Sequence, residues 1–128
     1  MALLLFEPET TKLTEYELKL VPILTNMLKN TIGKENALTN GHLVNRMNKL
    51  GYSKVSPERV RKIINHIRIY DLLDCLLASG KGYYISTKKT EIAEYIESLK
   101  GREEAIHEVR LALEAQLERL ENNKNNKQ

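Results

Sequence analysis

The sequence predicts a mainly α protein with one small β-hairpin and a long C-terminal helix. Three observations predict it. Apolar residues recur at three- and four-residue spacing in four segments, most of them with a recognisable start. Two short strand-like runs flank Gly80-Lys81-Gly82. Near the C-terminus, Ile92, Leu99, Ile106, Leu113 and Leu120 return every seventh position without a miss.

A chain of 128 residues, 41% hydrophobic, matches one small domain with a helical extension. No stretch approaches the roughly 20 apolar residues of a membrane span. The apolar run at residues 2–6 lacks a basic flank and a small-residue cleavage site, so it is expected not to be a signal peptide. One cysteine, Cys75, excludes an intramolecular disulfide and a cysteine-rich zinc site. A reducing cytoplasm is the expected setting. The net charge is only +3, but residues 54–70 hold five basic side chains against Glu58 alone. Residues 91–128 carry nine acids and six bases. That asymmetry predicts a polyanion met by one short stretch.

The first helix starts at Thr14, which forms a capping box with Glu17, and Leu13 and Leu18 occupy the staple positions. Leu20, Val21, Leu24, Met27 and Leu28 follow at helical spacing, with Pro22 expected to bend the helix and Gly33-Lys34 to end it. The second helix starts at Asn40 behind Thr39, carries Leu43, Val44, Met47 and Leu50 as its apolar face, and stops at Gly51. Asn40-Gly41 competes as a hairpin turn, but no strand-like alternation surrounds it. The third helix starts at Ser56-Pro57 and gathers Val60, Ile63, Ile64 and Ile67 on one face. Strands are expected within residues 73–79 and 83–87, with Cys75 a buried small apolar residue. A last helix runs to about Glu121, and residues 122–128 are expected to be disordered.

Helix, helix, turn, basic helix, hairpin, helix is the order of a winged helix-turn-helix domain. The expected organisation is therefore that domain at 10–88, a dimerisation helix at 89–121 and a tail at 122–128. In such a domain the third helix, here 57–70, enters the DNA major groove, and the hairpin, here 73–87, is the wing. Ser56, Arg59, Arg61, Lys62, Asn65, His66 and Arg68 are the expected groove contacts, with Lys81 on the backbone. Arginine and lysine suit guanine O6 and N7, and an asparagine pairs bidentately with adenine. Because Arg61 and Lys62 avoid the apolar face, reversing both charges is expected to abolish binding without unfolding the domain.

Three segments carry a resemblance. Thr14-Glu15-Tyr16-Glu17-Leu18, Arg61-Lys62-Ile63-Ile64-Asn65-His66-Ile67-Arg68 and Leu76-Leu77-Ala78-Ser79-Gly80-Lys81-Gly82-Tyr83-Tyr84-Ile85 resemble small winged-helix proteins of phages and prophages of gut bacteria, over about residues 13–118. The resemblance implies a winged-helix fold and DNA binding. With the basic third helix, the expected function is double-stranded DNA binding, as a transcriptional regulator or replication accessory. Tyr70-Asp71 departs from it, standing where an Asn-Gly-like turn is implied.

Other chemistries find less support. Gly80-Lys81-Gly82 lacks the upstream glycine and the following Ser or Thr of a phosphate loop. His42, His66 and His107 do not have zinc-ligand spacing, and no paired carboxylates stand out, so neither enzyme activity nor a cofactor is expected. The last helix is too long for a domain of about 75 residues to cover. Leu99, Ile106, Val109, Leu113, Leu117 and Leu120 are thus expected to pair with a second copy as a coiled coil, giving a homodimer and a palindromic target. The alternative from another class is a winged-helix module for protein–protein assembly, with DNA binding incidental. Charge pairing separates the two: if Arg61, Lys62 and Arg68 are paired with the acids of the C-terminal helix, the alternative gains.

Overall fold

A computed structural model describes residues 12–126; the apolar run at residues 2–6 lies outside them. The chain falls into two compact units that divide in sequence between Ile92 and Ala93. The elements are α1 (Glu15–Leu28), α2 (Asn40–Lys49), α3 (Pro57–Ile69), β1 (Leu76–Ser79), β2 (Gly82–Ile85) and α4 (Lys89–Asn126), with one 3-10 turn at Lys34–Asn36. This is a mainly α architecture with a two-stranded antiparallel hairpin and a long C-terminal helix. Among the described residues, no helix is long and apolar enough to cross a membrane.

The expected caps form. Thr14 and Glu17 close a capping box on α1, while Thr39 and Ser56 accept the His42 and Arg59 N–H groups at α2 and α3. Leu13 is buried, but its staple partner Leu18 is 48% exposed. α1 runs unbroken through Pro22 and ends at Leu28, five residues before Gly33. The reason lies across the chain. The segment after α1 pairs with the outer edge of β2, Thr31 accepting from Ile85, Gly33 donating to it, and Leu38 exchanging two bonds with Tyr83. Those bonds satisfy backbone groups that a longer helix would otherwise take up.

α2 and α3 end the same way. At α2, Gly51 has φ 94°, and the Tyr52 and Gly51 N–H groups return to Met47 and Asn48. At α3, Leu72 and Asp71 return to Ile67 and Arg68, and Asp71 takes the left-handed conformation at φ 56°. Both are Schellman endings. Tyr70-Asp71 therefore performs the reversal for which a glycine would be the easier residue, aspartate being among the few others that tolerate it.

The core of this unit is Leu20, Leu24 and Leu28 of α1, Leu43 and Met47 of α2, and Val60, Ile63, Ile64 and Ile67 of α3, closed by Leu76 of β1. All nine helical residues are essentially inaccessible to solvent. The strands are shorter than expected. Residues 73–75 form a turn in which Cys75 is exposed at φ 57°, not buried in a strand. Its left-handed backbone breaks the extended run before β1.

Gly82 has φ 117°, and a Cβ there would overlap the Leu38 carbonyl and the Thr39 nitrogen. Gly82→Ala is expected to destabilise the domain by more than about 1 kcal/mol, read as a lower urea midpoint. Gly80, two residues away, has open space around it, so Gly80→Ala should stay within about 0.5 kcal/mol.

The second unit is α4 from Ala93 onward. The helix continues to Asn126 where a disordered tail was expected from residue 122. Neither glycine nor proline interrupts residues 122–126, and each added residue gains one hydrogen bond once the helix exists. Every residue from 103 to 124 is exposed, including Ile106, Val109, Leu113, Leu117 and Leu120.

Candidate nucleic-acid interface

Residues 12–92 hold 14 basic and 7 acidic side chains, a surplus of seven. Where that charge sits depends on one carboxylate. Glu17, at the third position of α1, is 3% exposed. Its Oε1 accepts from the Thr14 N–H and from Lys62 Nζ, both at 2.8 Å, and its Oε2 accepts from Arg59 Nε at 3.0 Å. Burial alone would push this carboxyl up; the Lys62, Thr14 and Arg59 hydrogen bonds outweigh it and hold the pKa at about 2 against an ordinary 4.5. Arg59 also donates through Nη1 to the Lys54 carbonyl at 2.9 Å and lies 5.4 Å over the Tyr16 ring. Tyr16 in turn donates to the Ser53 carbonyl at 2.6 Å. The start of α1, the α2–α3 turn and the start of α3 are thus clamped together.

The eight expected contacts separate accordingly. Arg59 and Lys62 serve the Glu17 clamp. The Ser56 hydroxyl accepts the Arg59 N–H as the α3 cap. His66 has its ring 4.5 Å from that of Tyr70. Arg61, Asn65 and Arg68 lie on one stripe at i, i+4 and i+7, each half-buried. Arg61 lies 3.7 Å from the exposed carboxylate of Glu58. Arg68 donates through Nε to the Leu76 carbonyl at 3.1 Å, which ties it to the hairpin. Lys81 is exposed in the β-turn, where its N–H donates to the Ser79 hydroxyl.

Lys62→Glu would therefore set a second carboxylate against buried Glu17. The paired reversal of Arg61 and Lys62 cannot be a neutral surface change, because a side chain off the apolar face can still be bound to another helix.

Sequence reading missed two features. The Glu17 clamp joins positions 42 and 45 residues apart, and nothing local to either marks the pairing. The other is a basic stripe on α2: His42, Arg46 and Lys49, at i, i+4 and i+7, line a shallow hollow with Asn45. Its signal was available, since the spacing is helical, but the acids elsewhere in residues 1–53 reduce that region's net charge to +1. No family model, curated protein or solved structure matches this chain.

Proposed function

We propose that residues 12–92 bind double-stranded DNA as a winged-helix module of phage or prophage type, acting as a transcriptional regulator or replication accessory. The observation that carries this reading is the stripe Arg61, Asn65 and Arg68 on the helix in the third position. It joins two guanidinium groups, suited to guanine or phosphate, to an amide suited to adenine. The basic stripe on α2 supports it, because the helix preceding the recognition helix crosses the phosphate backbone in this class of fold. Lys81 is the backbone contact of the wing. Arg59 and Lys62 serve differently here: by holding Glu17 they fix where α3 starts.

Arg61→Glu combined with Lys81→Glu tests the reading and leaves the clamp intact. DNA affinity is expected to fall at least about tenfold, with the slope of log affinity against log salt shallower by about 0.9 for each phosphate no longer neutralised. An unchanged melting temperature shows that the fold survives. Undiminished binding by that variant sinks the assignment of α3 and the wing. A protein-docking reading draws on different residues, since Ile69, Tyr70 and Leu72 are 51%, 65% and 44% exposed at the end of α3. Under that reading Tyr70→Ser, not the charge reversals, removes binding to the partner.

A further inference from the structure

We propose that α4 pairs with α4 of a second copy in antiparallel orientation. This inference is independent of what α3 binds. With Ile92, Leu99, Ile106, Leu113 and Leu120 at the d positions, the a positions are Ile96, Glu103, Arg110 and Leu117. The seam is aliphatic except at two adjacent a positions of opposite charge. Ile96 and every seam residue from Glu103 on are exposed in the single chain: Ile96 is 47% exposed, Leu113 58% and Leu120 67%. An aliphatic seam of this length, broken only at Glu103 and Arg110 on an otherwise charged helix, marks an interface.

Charge decides the orientation. A parallel, in-register pair stacks each a residue on itself, so Glu103 meets Glu103 and Arg110 meets Arg110. It also sets each g position beside the e position five residues on, which pairs Arg102 with His107 and leaves no pair of opposite charge. An antiparallel pair centred near Glu108 places Leu99 against Leu117 and Ile96 against Leu120 of the second copy. Glu103 then lies three residues, about 4.5 Å along the axis, from Arg110 of the second copy. Antiparallel packing also sets e beside e and g beside g. Lys100 falls alongside Glu114 and Val109 alongside Val109, which gives this exposed valine a place in the interface. Within one chain Arg110 is bonded to Glu114 and Lys100 to Glu97, exposed pairs that contribute little and exchange readily for contacts across the seam.

The test uses the full chain with Cys75→Ser. A mixture of Leu99→Cys and Leu117→Cys proteins is expected to form the mixed disulfide on oxidation, whereas Leu120→Cys alone forms none. Crosslinking of Leu120→Cys overturns the orientation in favour of a parallel pair. Sedimentation provides a second measurement without cysteines. Glu103→Lys is expected to weaken the dimer at least about tenfold by setting a like charge within one turn of Arg110 of the second copy, and adding Arg110→Glu is expected to restore it. Loss without restoration overturns the cross-seam pairing, and a native chain that sediments as a monomer at tens of micromolar overturns the dimer.

Discussion

Replacing Glu17 by glutamine is expected to cost the first unit about 3 kcal/mol. The figure follows from the depressed pKa: a carboxyl at about 2, against an ordinary 4.5, is worth about 1.4 kcal/mol per unit. Glutamine still accepts the Thr14 N–H, but it leaves Arg59 and Lys62, each about a quarter exposed, without their counter-charge. The same linkage gives a pH dependence. A group whose folded pKa is lowered adds its full stability above its unfolded value, near 4.5, and loses it as pH falls toward 2. Native protein is therefore expected to lose about 3 kcal/mol from this site between about pH 5.5 and 2, and Glu17→Gln to lose none from it. Urea unfolding of both proteins at pH 7 and pH 3 measures this directly. Parallel losses in the two proteins would show that Glu17 is not the acid-sensitive group.

Ile106→Asp combined with Leu113→Asp is expected to give a monomer with unaltered folding of residues 12–92 and DNA binding weaker by on the order of 100-fold. Both residues are exposed in the single chain, so neither change opens a cavity. Each aspartate faces the seam, where an unpaired charge cannot be covered. A dimer makes the second DNA contact intramolecular, which raises affinity with no new contact. The salt slope should roughly halve with the number of phosphates engaged. Sedimentation and DNA titration of the same samples separate the two proposals. A monomer that binds as tightly as the native protein keeps the dimer and removes its role in DNA binding. A variant that remains dimeric places the interface elsewhere.

Local chemistry was legible in the sequence. Thr14, Thr39 and Ser56 cap helices because a side-chain oxygen three residues upstream of an orphan N–H needs no tertiary context. Val60, Ile63, Ile64 and Ile67 are buried together because helical periodicity alone puts them on one face. The hairpin around Gly80 and the seven-residue repeat of α4 were readable for the same reason. Both are short-range patterns.

What the tertiary structure decided depends on partners distant in sequence. The end of α1 at Leu28 is set by β2, more than 50 residues on, which takes up the backbone of residues 31–38. The positive φ of Asp71 and Cys75 arises where the chain must reverse after α3 and enter β1, whatever residues stand there. The division of the basic residues was equally invisible. Arg59 and Lys62 look identical in sequence to Arg61, all being long cations off the apolar face. A helical wheel places them around α3 but cannot say which side α1 covers. Packing brought Glu17 to that side, and a buried carboxylate without a cation would have been far costlier than two cations withdrawn from the surface.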